Sequence, residues 1–399
     1  MIRAALAVVI ALAALALTLG GRRARYRAAV PVRALRGVAG GAIASLALLW
    51  GLGPLGGTRT TARLVAEDAS APLRRIAIHY APAADPVALG VWRQLFAALP
   101  ARVDVEVEVG DAGDFDRLIG ALRAAGVGNL ERLHAVVVGT PITTWSRDRY
   151  AATIDDRGAG AIVAPPRTEA RFADRAGDAR SPFAISEALY HRPPSTADIV
   201  FEGGDLAATP RWIFADANLV ARNVGRGAAD RPTIEAELHR RFAQDIVWLG
   251  DRVGDVPRHH VMMYAVPLDD RTVAVGDVRA GVARLGDSAH VLPDDVDVQA
   301  PRFDRAAAQL AARGFRVLRV PAVVLAGGGS FITYTNALFD RRDDGTRVVY
   351  LPTYGQPALD AAGRAFYLAQ GFAVVPIDVS AIYRLNGSLG CLVNVLARG

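Results

Sequence analysis

One residue in this chain has the makings of a strong nucleophile. Cys391 is its single cysteine and sits in the run NGSLGCLVNVL. A free cysteine is most often a small buried hydrophobe, but its thiolate is also the side chain best suited to covalent attack. The glycine-rich residues before it read as a flexible loop that presents a thiol. His260, in DVPRHHVMMYAV, could carry a proton to or from a reacting group. A histidine at the start of a strand is more often structural, and adjacent His259 should point to the opposite face, so a shared metal is not expected. Carboxylates occur in two short clusters. Trp145, Ser146, Arg147 and Asp148 follow an apolar strand-like run, where they suit a pocket rim or an exposed loop with one anchoring aromatic. Phe201, Glu202, Gly203, Gly204 and Asp205 put two acids around a glycine pair, either an ordinary turn or a close backbone approach.

These groups need a frame, and the hydrophobic periodicity supplies one. Residues 74–81 and 103–109 read as strands, the second alternating strictly and so half-buried. Residues 86–99 and 115–126 read as helices, and residues 133–141 as a buried strand. The pattern then recurs. FDRAAAQLAARG at 303–314 repeats FDRLIGALRAAG at 115–126, and residues 314–322 and 371–379 are similar strands leaving helices. Three hairpin-like pairs begin near residues 205, 263 and 337. A β-hairpin plus helix recurring about every 60–70 residues suggests units set around an axis and not a doubly wound sheet. No G-x-G-x-x-G follows a strand, so a dinucleotide fold has no support.

Composition narrows the chemistry. The chain has 399 residues with 46 Lys+Arg against 40 Asp+Glu, and every basic residue is arginine. Without lysine there is no Schiff base and no Walker-type phosphate loop. One cysteine excludes a disulfide framework and a cysteine-rich zinc site within the chain, and H-E-x-x-H is absent. The net charge of +6 is local: residues 1–57 hold seven arginines and no acid, leaving 39 basic against 40 acidic residues in the rest. A nearly neutral remainder argues against a nucleic-acid partner.

That acid-free segment reads as membrane. Residues 4–21 and 37–58 are uncharged runs of 18 and 22 residues, flanking a stretch with six arginines. Each is near the roughly 20 residues a spanning helix needs, and arginine-rich short loops stay cytoplasmic. The favoured reading is a two-helix anchor over residues 1–57 with an extracytoplasmic, periplasmic or cell-surface domain beyond it. A signal peptide using the first run alone and two apolar helices packed on a soluble domain are the alternatives. Residues 58–73 suit a linker, and residues 74–399 form the functional domain.

In order along the chain, W-S-R-D, E-G-G-D, a strand-start histidine and a terminal Gly-Cys resemble the guanidino-group-modifying, or pentein, superfamily. The closest similarity is to the agmatine deiminase and bacterial (Porphyromonas-type) peptidyl-arginine deiminase family. The resemblance covers about residues 74–399. It implies an α/β fold, a five-bladed α/β propeller of ββαβ-type repeats. It also implies hydrolysis of a guanidino group, in agmatine, arginine or an arginine side chain, to a ureido group plus ammonia, with neither metal nor organic cofactor. Cys391 would then be the nucleophile and His260 the acid and base. Asp148 and Glu202 would hold the guanidinium through paired hydrogen bonds. Trp145, Arg147, Asp205 and Met262 would complete substrate binding, Trp145 with a cation–π contact.

The chain departs from the family pattern in three places. The family's H-x-D reads His260, Val261, Met262 here, so a thioether stands where a carboxylate is expected. Losing such a charge-assisted bond is worth roughly 1.5–3 kcal/mol. His259 replaces a glycine, and Gly390 stands where deiminases often carry histidine. Met262 therefore opens a second reading, a catalytically inactive domain that binds a ligand or partner. Amidino transfer to an amine through the same cysteine is a third.

Overall fold

Isoleucine and valine recur at alternate positions of the strands Leu73–Tyr80 and Asp104–Val109. The intervening helix, Asp85–Ala98, turns Ala88, Val91, Trp92, Leu95 and Phe96 to one buried face. β-Branched residues fit a pleated sheet, and the helix spacing makes a single apolar stripe. The segment accordingly folds as strand, crossover helix and parallel strand. The computed structural model describes residues 62–166, 175–225, 230–285 and 291–399. They fall within one compact unit, Thr60–Gly399. The two apolar runs expected to anchor the chain lie outside the described residues. Among the described residues no helix is long and apolar enough to cross a membrane.

The same unit is built again and again. Each of five separate sheets contains an antiparallel pair whose second strand continues into a parallel pair. In chain order the first trio is Ala151–Ile154, Gly160–Ala164 and Ser195–Thr196. The second is Ala207–Ala208, Trp212–Asp216 and Asp245–Leu249. The third is Ala265–Pro267, Thr272–Asp277 and Arg316–Val324. The fourth is Leu338–Arg341, Arg347–Thr353 and Phe372–Asp378. The last joins the two ends of the unit: Val393–Arg398 runs antiparallel to Leu73–Tyr80, which pairs in parallel with Asp104–Val109. Helices link the parallel strands, among them Ser181–Tyr190, Arg231–Arg241, Val296–Ala312 and Pro357–Ala369. The three hairpins expected near residues 205, 263 and 337 are the second to fourth trios.

Four expectations need correction. Asp104–Val109 is not half-buried: Glu106 and Glu108 are enclosed with the valines, 4% and 0% exposed. Helices cover one face, and on the other Tyr150 donates to Glu108 at 2.7 Å while Arg75 reaches Glu106 at 3.2 Å. Polar alternation here marks an internal polar layer and not solvent. Leu133–Val137, expected to be buried, is an edge strand with Val137 49% exposed. Residues 62–73 are not a free linker. Arg63–Leu64 pairs with Ala151–Ile154, Leu64 and Val65 are buried, and Glu67 pairs with Arg147. Finally, residues 303–314 are only the end of a helix that starts at Val296 and accommodates Pro301 near its first turns.

Arg398 fastens the closing strand. Its guanidinium donates to the carbonyls of Ala66 at 2.6 Å, Ala71 at 3.0 Å, Glu67 at 3.3 Å and Phe339 at 2.9 Å. One side chain thus ties the first described residues, the fourth trio and the last strand together.

Candidate active site

The turns that lead into the first strands of successive trios converge. Ser146–Asp148 precedes Ala151–Ile154, Gly203–Asp205 precedes Ala207–Ala208, and Val261–Met263 precedes Ala265–Pro267. Asn336 precedes Leu338–Arg341, and the short helix Leu389–Leu392 precedes Val393–Arg398. Between them lies a polar cleft of about 390 Å³, lined among others by Trp145, Asp148, Glu202, His260 and Cys391. Five residues singled out from sequence, spread over nearly 250 positions, therefore share one cavity.

Histidine and carboxylate are locked together. His260 Nε2 donates to Glu202 Oε2 at 2.8 Å, both side chains being largely enclosed. Gly204 is what lets them meet, because a Cβ there would lie 2.4 Å from His260 Nδ1. Asp205 serves the same turn from behind: it accepts from the Glu202 backbone N–H at 2.7 Å and pairs with Arg222 at 2.7 Å. His259 does not point away from His260, as a strand would require. Both lie in an irregular approach to the Val261–Met263 turn with their rings 5.1 Å apart, and His260 N–H donates to His259 Nδ1 at 2.8 Å. His259 Nε2 in turn donates to the Asn386 carbonyl at 2.9 Å. Burial and the charge of His260 push His259 down to about 3, so the ring is neutral, and its two hydrogen bonds select the Nε2–H tautomer.

Burial opposes charge throughout the cleft, and the neighbours decide each outcome. For His260, burial works against the imidazolium. The Cys391 and Glu202 interactions and the charge of Asp148 outweigh it, holding its pKa well above the usual histidine range. For Glu202, burial would favour the neutral acid. The His260 bond and the charges of Arg222 and Arg175 prevail and keep it below the usual carboxylate range. Asp148 goes the other way, raised by burial and by the Glu202 charge. His260 Nδ1 has no partner of regular hydrogen-bond geometry, and neither has Asp148 Oδ1. Both residues line the cleft.

Cys391 is 3% exposed and closes one side of the cleft. It does not sit on the flexible loop expected but in the short helix Leu389–Leu392. Its Sγ stands 3.7 Å from Asn336 Oδ1 and 4.0 Å from Met263 Sδ. Gly387 lets the preceding turn pack flat on Trp145, since a Cβ would fall 2.2 Å from the ring.

Three expected substrate contacts are elsewhere. Arg147 points away from the cleft, pairing with Glu67 and donating to the Leu206 carbonyl at 3.0 Å. Asp205 supports the turn and does not line the cavity. Met262 is buried in the apolar core, and its carbonyl accepts from Thr335 Oγ1 at 2.8 Å. It is Met263, not Met262, that touches the sulfur.

Other groups of the site are visible only in three dimensions. Arg222 donates to Glu202 at 2.7 Å, and Arg175 contacts Asp148 and lies 3.8 Å from Glu202. Arg258 and Asn386 line the mouth. In a chain with 46 arginines and no lysine, an isolated arginine carries little signal. Asn336 had a positional cue in its place before a hairpin. Asp148, Glu202 and His260 could also offer three ligand atoms to a cation, all within 4.8 Å of one another. The Arg175 guanidinium already takes up Asp148 and approaches Glu202 in that set.

Comparison with known proteins places this cleft in context. Residues 91–395 match the sequence profile of the Porphyromonas-type peptidyl-arginine deiminases. No curated protein matches the chain. Among solved structures, C. jejuni agmatine deiminase, in a cysteine-to-serine form with substrate bound, is similar at 15% identity and a TM-score of 0.64, covering 85% of this chain and 97% of its own. A structure described as a putative peptidyl-arginine deiminase gives 16%, 0.63, 85% and 99%. Agmatine deiminase of Enterococcus faecalis gives 15%, 0.60, 85% and 96%. At these identities the likeness is one of fold.

Proposed function

The chain belongs to the Porphyromonas-type peptidyl-arginine deiminase family, and from that premise we propose that it hydrolyses a guanidino group to a ureido group and ammonia through a covalent thioether-linked intermediate on Cys391. The observation that carries this reading is the meeting of Asp148, Glu202, His260 and Cys391 in one cleft. A guanidinium is planar, cationic and rich in N–H donors, so two inward-facing carboxylates are its natural seat.

The proposed chemistry follows from the groups' protonation states. Asp148 and Glu202 hold the substrate guanidinium and keep its carbon electrophilic. A cation beside sulfur favours the thiolate. The Cys391 sulfur bonds to that carbon, giving a tetrahedral adduct. The imidazolium of His260 passes a proton to one amino nitrogen, the C–N bond breaks, and ammonia leaves. The imidazole, now neutral, takes a proton from water as the oxygen adds to the thiouronium carbon. The C–S bond then breaks, releasing the ureido product and the thiolate. One proton of the water restores the imidazolium of His260, and the other leaves the ureido oxygen as the C–S bond breaks and is taken up by the ammonia, which departs as ammonium.

Two finer features belong to the same reading. The five ββαβ units are arranged as the blades of a propeller, with the cleft where their leading turns meet. Residues 1–57 hold the domain at a membrane, on the side away from the arginine-bearing loop. Ammonia release from agmatine, arginine and arginyl peptides tests the activity, using residues 60–399. The unaltered protein should turn over one of them, and Cys391→Ala should abolish turnover. Full activity in Cys391→Ala would remove the covalent step. Transfer to an amine instead of water would show as an amidinated acceptor, and no turnover at all would favour a binding role.

A further inference from the structure

We propose that Arg175 is a built-in competitor for the guanidinium seat, so that a substrate binds only by displacing it. This rests on the reading of the cleft as a guanidine site. Arg175 Nη2 contacts Asp148 Oδ2, and Nη1 lies 3.8 Å from Glu202 Oε1. The two carboxylates expected to hold a substrate cation therefore already face a guanidinium from the same chain.

The charge balance leaves little room for both. Asp148 and Glu202 are the two acids among the residues lining the cleft. Glu202 is also paired with Arg222 at 2.7 Å and with His260 at 2.8 Å. Met262 adds no carboxylate. A second guanidinium beside Arg175 would meet a like charge at short range between largely enclosed side chains, where repulsion is less screened than at the surface. Arg175 must therefore withdraw.

It has somewhere to go. Its Nε lies 3.5 Å from Asp178 Oδ2. Asp178 is buried and held in place, accepting from Thr143 N–H at 2.7 Å and Thr143 Oγ1 at 2.6 Å, with Arg149 Nε at 3.7 Å. Arg175 can release Asp148 and Glu202 through its terminal nitrogens and keep Asp178 through Nε. Its side chain is 20% exposed and lines the cleft, so it has open space to move along. Asp178 would act as the pivot, and the substrate's apparent affinity is reduced by the fraction of molecules in which the seat is vacated.

Isothermal titration of the full chain in detergent, in the Cys391→Ala background, with agmatine as probe, tests this. If about a tenth of the molecules have an open seat, Arg175→Gln should tighten agmatine binding by about tenfold. Arg175→Lys, which keeps the charge, should remain weak. In the protein that keeps Cys391, Arg175→Gln should lower KM by a larger factor than it alters kcat. A second measurement leaves Arg175 in place: saturating agmatine should increase modification of Arg175 by phenylglyoxal, read by peptide mass spectrometry. Equal or weaker agmatine binding by Arg175→Gln overturns the proposal, as does unchanged or reduced phenylglyoxal labelling. If neither form binds agmatine, arginine or guanidinium, the guanidine reading falls and the competitor with it.

Discussion

The carboxylates of the cleft share a cavity but not an acidity. Asp148 is raised by burial and by Glu202, while Glu202 is held low by the His260 bond and two arginines. As pH falls, Asp148 is therefore the first of the pair to take a proton, above the usual carboxylate range, while Glu202 stays ionised. A protonated Asp148 offers a guanidinium one hydrogen-bond acceptor without charge. The expected result is a KM for agmatine or arginine that rises on the acid side before kcat falls. Asp148→Asn should raise KM at neutral pH and flatten that limb. A pH series of initial rates checks it, and a KM independent of pH from 4 to 7 would sink it. At this scale the sequence was informative about five residues of the site. Cys391, His260, Asp148, Glu202 and Trp145 do line the cleft. Arg147, Asp205 and Met262 were assigned from their places in the family's motifs, and adjacency within a motif says little about which way a side chain faces.

The elements explain why adjacency fails. Each trio is entered by a tight turn in which neighbouring residues can face opposite ways, as Asp148 lines the cleft while Arg147 turns to Glu67. The third turn is positioned from the second trio: Asn218 Nδ2 reaches the carbonyls of Pro257 at 2.8 Å and His259 at 3.2 Å, and Asp216 Oδ2 at 3.0 Å. Asp216 also accepts from Tyr264 at 2.7 Å, yet burial lifts its carboxyl from near 3.8 to about 7. A carboxyl raised on folding binds its proton more tightly in the native state. Its contribution to stability is thus fully present below pH 3.8 and is lost as pH rises through about 7. Urea unfolding at pH 5 and pH 8 should show a loss on the order of 1–3 kcal/mol from this group. Asp216→Asn should reduce that difference, and an identical pH dependence in the variant would refute the assignment. The recurring hairpins and helices were legible because their periods are local. The fifth trio was not, since its strands come from opposite ends of the unit. Nor was the burial of Glu106 and Glu108, which depends on partners distant in sequence, Tyr150 among them.

For the whole molecule, charge and hydropathy divide the chain more sharply than length does. Seven arginines and no acid lie in residues 1–57, ahead of a unit that is nearly neutral. If that segment anchors the domain, the full chain should sediment with membranes and resist extraction by salt, while residues 60–399 should remain in the supernatant. In sealed membrane preparations, protease added to one side should cut either the domain or the arginine-bearing loop but not both. A full chain that stays in the supernatant, or cleavage of both regions from one side, would remove the anchor or its topology. The stretch from residue 62, expected as linker, belongs with the domain, because Arg63–Leu64 pairs with Ala151–Ile154 and Glu67 with Arg147. A polar composition with Ala, Ser and Pro does not distinguish a linker from a segment packed against a surface.

The closing strand has a bearing on how the molecule is made. Synthesis runs from Trp145 to Cys391, so both carboxylates and the histidine leave the ribosome before the sulfur does. Leu73–Tyr80 must wait for Val393–Arg398 to become its neighbour, and Cys391 comes just ahead of that strand. On the proposed mechanism, a growing chain would hold the carboxylates and the histidine and still lack the sulfur, so chemical competence would arrive with topological closure and not before.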